Sequence, residues 1–287
     1  MTTRLAGRTA IVTGASRGLG RAIALALAAD GAAVAVVART EQVWDDRLPG
    51  TIGETVAAIE AAGGTAVAIR ADLLDREDLP RLVEETRAAL GPVSILVNNA
   101  AFTAPGRPGA PPKATPAPVK QQAVHVDWPG FVTTPLTAYR RHFEIAVFAA
   151  YELMQHVVPD MIAAGGGAIV NISSVASRVP GDGPFDDFTG GVLPGYGGSK
   201  AALEHLTASA AYELQRRNIS VTALSPSLPM MTPGLSYYRT DFDDVGSEVD
   251  FAEAVVRLAL ADPNVVTGRT VGHLDVLNGS YRPFTAP

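Results

Sequence analysis

The chain has 287 residues, 47% of them apolar and 18% charged, and a net charge of −6, so it holds material for a large core and offers no basic footprint for nucleic acid or an anionic membrane. It contains no cysteine, which excludes disulfides and thiolate chemistry, and its five histidines lack metal-ligand spacing. The opening MTTRLAGR has no apolar leader core and the apolar run from Ala22 to Ala38 is broken at Asp30-Gly31; the expectation is a soluble, cytoplasmic protein with no membrane span.

Thr9 to Thr13 is a β-branched apolar run, followed by TGASRGLG and an Ala/Leu-rich helical pattern that stops at Asp30-Gly31. Strand, glycine loop and helix in this order form a phosphate-binding turn. Gly14, Gly18 and Gly20 let the backbone approach a pyrophosphate, whose charge then faces the N-terminus of the helix. A second strand, Ala33 to Ala38, ends at Arg39-Thr40, where a site for NAD would place a carboxylate against the ribose. Arg39, together with Arg17 of the glycine loop, instead suits a 2′-phosphate, which favours NADP over NAD. A loop from Glu41 to Gly50 precedes a helix from Thr51 to Ala62. A third strand, Ala66 to Ala71, delivers Asp72 to the carboxyl edge of the sheet, where it is assigned to the adenine end of a nucleotide. Asp75 and Asp78 open the next helix, which runs to Leu90. Val93 to Val97 is a fourth strand, leading into Asn98-Asn99-Ala100-Ala101.

Residues 102–135 are too proline-rich for a regular element and read as a long loop, either a tolerated insertion or a lid whose Phe102, Trp128 and Phe131 cover a pocket. A helix is expected from Thr137 to Ala164 and a fifth strand from Gly167 to Ile172, with Ser173-Ser174 at its carboxyl end. Residues 178–194 form a second Gly/Pro-rich loop carrying Phe185 and Phe188. Next comes the helix of Tyr196-Gly197-Gly198-Ser199-Lys200, continuing to Arg216. Tyrosine and lysine at i and i+4 share one helix face, so the ammonium can favour the phenolate and tune the tyrosine as an acid/base. A sixth strand, Ile219 to Leu224, leads to Pro226-Ser227-Leu228. An apolar, aromatic stretch from Met230 to Phe242 follows, then a helix capped by Ser247 and Asp250 and ending at Leu260, and a final strand from Thr270 to Leu274.

The ordered set TGASRGLG, Asp72, Asn98-Asn99-Ala100-Ala101, Ser174 and Tyr196-x-x-x-Lys200 resembles the short-chain dehydrogenase/reductase family over nearly the whole chain. The resemblance implies an α/β fold, a doubly wound, mainly parallel sheet with helices on both faces. It implies a dinucleotide held by Gly14, Ser16, Arg17, Gly18, Leu19, Gly20, Arg39, Asp72, Leu73, Asn98, Ala100, Tyr196, Lys200, Pro226 and Leu228. It also implies a catalytic set of Ser174, Tyr196 and Lys200, with Ser173 as a mainly structural neighbour, and a homodimer or homotetramer built on the helices of Thr137 and Tyr196. Two departures stand out. Ala146 occupies the position where relatives carry an asparagine that helps a water relay protons to the lysine, and Ser227 replaces the glycine usual after Pro226.

The chain is thus expected to be one domain, 1–287, with loop insertions near 102–135 and 178–194. Its expected activity is an NADP-dependent interconversion of a small-molecule ketone and secondary alcohol, the substrate being bulky and apolar, with NAD possible as cofactor. Tyr196 would act as acid/base, Lys200 would lower its pKa and hold the ribose, and Ser174 would polarise the substrate oxygen. The alternatives are a catalytically weakened NADP-binding sensor or scaffold, and a non-redox use of the same serine and tyrosine such as dehalogenation.

Overall fold

The structure, a computed structural model, describes residues 3–102, 131–132, 134–178, 194–236 and 242–282. Among them, β1 (Thr9–Thr13), β2 (Ala33–Ala38), β3 (Thr65–Arg70), β4 (Ile95–Asn98), β5 (Gly167–Ile172), β6 (Ile219–Ser225) and β7 (Thr270–Gly272) form one parallel sheet. Its order is β3-β2-β1-β4-β5-β6-β7, the doubly wound arrangement expected. The chain leaves β1 towards β2 and β3, then returns to place β4 on the other side of β1. The crevice at that reversal, outside the carboxyl ends of β1 and β4, is where such sheets bind ligands.

Alternation along the strands explains why they read as unbroken apolar runs. Ala10, Val12, Val34, Val36, Val97 and Val170 point to one face, packing against α1 (Gly18–Ala29) and α8 (Glu248–Leu260) through Ile23, Leu27, Phe251 and Val255. Ile11, Ala35, Val37, Leu96, Ile169 and Val221 point to the other, against Leu82 and Val83 of α3 (Asp78–Leu90) and Leu153 and Val157 of α5 (Ala149–Ala163). Both faces are covered, so apolar residues dominate both sets of positions, and polar ones such as Thr13, Asn98 and Asn171 are hydrogen-bonded within the protein. The helix α2 (Ile52–Ala61) starts at a capping box in which Thr51 accepts from the Glu54 amide and the Glu54 carboxylate accepts from the Thr51 amide.

Several expected boundaries move. The third strand lies one residue earlier, and the fourth begins at Ile95 rather than Val93, whose amide donates to the Asp160 carboxylate of α5 at 3.0 Å. The last strand stops at Gly272, where the chain turns into α10 (His273–Leu277). The long helix before β5 is not uniform. It consists of α4 (Leu136–Phe143), a π turn over Glu144–Phe148, and α5. The π turn inserts one residue into the helical ladder and places Ala146, nearly buried, at the irregularity. After Ser174 a single 3-10 turn, Val175–Ser177, leads out of β5, and α6 (Pro194–Leu214) carries Tyr196 and Lys200. The region after β6 holds α7 (Pro233–Ser236), and α9 (Pro263–Val266) precedes β7.

Phe131, a candidate for the lid under one of the two readings of this stretch, stands 84% exposed. Trp128, Phe185, Phe188, Tyr237 and Tyr238 lie outside the described residues. No described helix is long and apolar enough to cross a membrane.

Candidate active site

The glycine loop joins β1 to α1 across the crevice. Gly14 has φ +68° and Gly18 φ +51°, both in the left-handed region that favours glycine. Gly20 is helical, but a Cβ there would lie 2.3 Å from the Gly14 carbonyl oxygen and 2.5 Å from Asn99 Nδ2. The loop is fastened to the end of β4: Asn99 Nδ2 donates to the Thr13 carbonyl at 2.8 Å, and Thr13 Oγ1 accepts from the amides of Asn99 and Ala100, each at 3.1 Å. Backbone without side chains therefore faces the helix N-terminus, which fits a dinucleotide pyrophosphate. Ser16 is buried in the loop, and Leu19 packs on the core behind it.

At the edge of the crevice, Arg17 and Arg39 lie close enough that the Arg39 charge, after the larger effect of burial, depresses the pKa of Arg17. Arg17 Nη2 donates to Thr40 Oγ1 at 2.8 Å, and Arg17 Nη1 donates to the Leu48 carbonyl. Asp45, from the following loop, acts on Arg17 in the opposite sense. Asp72 accepts from the Leu74 amide at 3.1 Å through Oδ1, while Oδ2 stands 3.8 Å from Arg39 Nη1. Asp72 thus caps its own turn, and Asp78 braces it, its carboxylate accepting from the Asp72 amide at 2.7 Å. Leu73 is nearly buried beside them.

The reactive groups meet on the other side of the crevice. Ser174 Oγ caps the 3-10 turn by accepting from the Ala176 amide at 3.2 Å, and the Ser174 hydroxyl lies near enough to the Tyr196 phenol to act on its pKa. Lys200 is almost fully buried, its Nζ donates to the Ile172 carbonyl at 2.5 Å, and it lies 5.7 Å from the centre of the Tyr196 ring. Gly197 lets α6 lie close against the 3-10 turn after Ser174, since a Cβ there would sit 2.3 Å from the Ala176 carbonyl oxygen. Burial pushes the Tyr196 phenol up, the Ser174 hydroxyl partly opposing it. The protein alone thus keeps this tyrosine in its acid form instead of drawing it towards neutrality as the Tyr/Lys spacing suggests. Lys200 is lowered to about 8 by burial, opposed by the charge of Glu204.

Glu204 escaped the sequence reading, although it lies one turn beyond Lys200 on the same helix face. Its Oε1 accepts from Ser173 Oγ at 2.5 Å and Ser177 Oγ at 2.7 Å, and its Oε2 pairs with Arg178. One carboxylate thereby fixes both flanks of Ser174. Behind it, Asn98 Nδ2 donates to Asn171 Oδ1 at 2.8 Å and Asn171 Nδ2 donates to Thr207 Oγ1 at 2.9 Å, a polar rung linking β4, β5 and α6. At the end of β6, Ser227 uses its amide to donate to His273 Nδ1 at 2.9 Å and its hydroxyl to accept from the Leu274 amide at 3.3 Å. Serine here ties the turn of Pro226 and Leu228 to α10. Thr232 lies over Gly18, 3.1 Å from where a Cβ would be. Aromatic rings gather beside Tyr196: His142 of α4 meets both Phe102, from the segment after β4, and Tyr196 edge-on, and Tyr139 stacks on Phe143 within α4.

Residues 8–241 match the short chain dehydrogenase family. A 7alpha-hydroxysteroid dehydrogenase of Clostridium sardiniense is 31% identical over 92% of this chain and 91% of its own length. A 7alpha-hydroxysteroid dehydrogenase solved with NADH and 7-oxo glycochenodeoxycholic acid superposes with a TM-score of 0.72 at 28% identity, covering 94% of each chain. A metagenomic short-chain oxidoreductase in complex with NADP gives a TM-score of 0.66 at 27% identity, covering 91% of this chain and 94% of that one.

Proposed function

The chain belongs to the short chain dehydrogenase family of oxidoreductases, and from that premise we propose that it reduces a bulky, apolar ketone to a secondary alcohol with NADPH, and runs the reverse oxidation. The observation that carries this reading is the juxtaposition of Ser174, Tyr196 and Lys200 at the carboxyl edge of the sheet, beside a glycine loop with no room for side chains.

A bound nicotinamide supplies the hydride. The Ser174 hydroxyl donates to the substrate oxygen and orients it. Tyr196 gives its phenolic proton to the same oxygen as negative charge develops there. Its raised pKa holds it protonated until that moment, which suits the reductive direction. The Lys200 ammonium, aimed by the Ile172 carbonyl, stabilises the phenolate left behind. Glu204 holds Ser173, Ser177 and Arg178, so the loop bearing Ser174 keeps its angle to Tyr196.

NADPH is the cofactor of this proposal because Arg39 and Arg17 place two cations together beyond β2, and a 2′-phosphate neutralises that pair. Relatives are solved with NADH and with NADP, and Asp45 near Arg17 sets how much of the positive field remains. The rings of Phe102 and His142 beside Tyr196 support an apolar substrate of some bulk. The proposal also includes a single domain and a homodimer or homotetramer through α5 and α6, whose Tyr151 and Tyr212 are exposed. Loss of NADPH absorbance with a panel of ketones, a 7-oxo bile acid and simple cyclic ketones among them, tests the activity. Inertness towards the whole panel, with NADPH bound tightly, would favour a sensor.

A further inference from the structure

Each ketone reduced takes one proton from Tyr196, and that proton must be replaced from solvent. Lys200 does not meet solvent directly, since it is 1% exposed, and one of its three N–H groups is given to the Ile172 carbonyl. Ala146, buried at the π turn, offers no donor or acceptor side chain. One turn earlier stands His142. Its ring meets the Tyr196 ring edge-on at 5.9 Å between centroids and the Phe102 ring at 5.2 Å. It is partly exposed, and among the described residues neither ring nitrogen has a hydrogen-bond partner. The groups facing it are Tyr196 and Lys200 from α6 and the uncharged Phe102 from the end of β4, while Arg141 of its own helix lies over Phe102, 5.8 Å from that ring's centre.

We propose that His142 passes the proton between solvent and Tyr196, a role that rests on the ketone-reductase reading of this site. As the carbonyl carbon takes the hydride, the O–H bond of Tyr196 breaks, its proton goes to the substrate oxygen, and the electron pair stays on the phenolate. One nitrogen of His142 then releases its proton through a bridging water to the phenolate, while the other nitrogen takes a proton from solvent. The imidazole stays neutral with its tautomer exchanged, later solvent exchange restores it, and one solvent proton is consumed per alcohol formed. The environment suits this use. Burial, and then the charge of Lys200, lower His142 to about 4, so at physiological pH it carries both an N–H and a lone pair. A neutral imidazole in contact with a catalytic phenol, where a purely structural ring could be any aromatic, is a group placed for proton traffic.

Two variants separate relay from packing. His142→Phe keeps an aromatic ring against Tyr196 and Phe102, and His142→Ala opens a space for small molecules. In both, kcat for ketone reduction should fall ~100-fold, with KM and NADPH affinity changed no more than about threefold. Added imidazole should restore kcat in His142→Ala, rising with its concentration, and leave His142→Phe unchanged. Wild-type kcat in His142→Phe, or a loss in His142→Ala that imidazole does not repair, would overturn the proposal. If the wild-type protein itself reduces no ketone, the reading of the activity has failed instead. Imidazole 15N NMR of the substrate-free protein then decides the placement: His142 should be neutral at pH 6 and take up its proton at higher pH in Lys200→Met, and a ring already charged at pH 6 overturns it.

Discussion

Replacing Gly20 by alanine sets two effects of opposite sign against each other. In the first turn of α1, alanine is the better helix former by ~1 kcal/mol. Its Cβ, however, would stand 2.3 Å from the Gly14 carbonyl oxygen and 2.5 Å from Asn99 Nδ2, where an ordinary carbon-to-oxygen contact needs about 3.3 Å. Relief requires a displacement of about 1 Å, and neither neighbour can give way cheaply. Gly14 is backbone, and Asn99 is committed to the Thr13 carbonyl at 2.8 Å. Overpacking of this kind costs about 1–3 kcal/mol, which outweighs the helix gain, so Tm should fall by a few degrees at ~2–4 °C per kcal/mol. The functional loss should be larger than the stability loss suggests. The displaced atoms are those facing the pyrophosphate, and NADPH affinity should drop at least about tenfold, or ~1.4 kcal/mol. Fluorescence titration with NADPH alongside a thermal melt reads both quantities. Wild-type affinity with an unchanged or raised Tm would refute the reading of this loop as a cradle closed to side chains.

Glu204→Gln keeps an oxygen to accept from Ser173 and Ser177 but removes the negative charge that supports the Lys200 ammonium. Lys200 assists reduction while protonated, and that assistance is lost as pH rises through its pKa of about 8; without Glu204 the proton leaves at lower pH. The alkaline fall of kcat should therefore begin earlier, with about a tenfold deficit at pH 9 and a smaller one at pH 6, and a superimposable pH profile would remove Glu204 from the account. Arg39→Asp should lower the ratio of NADPH to NADH affinity by about tenfold or more, measured by titrating the two cofactors in parallel; an unchanged ratio would dismiss the 2′-phosphate assignment.

The strands of the sheet were legible because both of its faces are buried, which leaves Ala33–Ala38 wholly apolar and Gly167–Ile172 with Asn171 as its one polar side chain. Helix starts at Thr51 and Ser247 were marked by their caps. Boundaries shifted where a side chain from elsewhere intervened, as the Asp160 carboxylate does at the Val93 amide. The π turn over Glu144–Phe148 has neither proline nor glycine, so nothing local announces it. Spacing placed Tyr196 over Lys200, yet spacing could not weigh burial against charge, and burial sets the direction of the Tyr196 pKa. Glu204 was within reach of the same i+4 argument, one turn further along α6. His142 was not, because its meeting with Tyr196 depends on how α4 crosses the start of α6, which no local pattern contains.

The central claim is that Tyr196 is the proton donor of a hydride-transfer site. Tyr196→Phe retains the ring packed on His142 and above Lys200 and deletes only the hydroxyl beside Ser174. Stopped-flow absorbance of NADPH, mixed with a ketone that the wild-type protein reduces, should show hydride transfer slowed by about 10²–10⁴-fold, while NADPH binds with wild-type affinity. Hydride transfer at the wild-type rate in that variant would contradict the account.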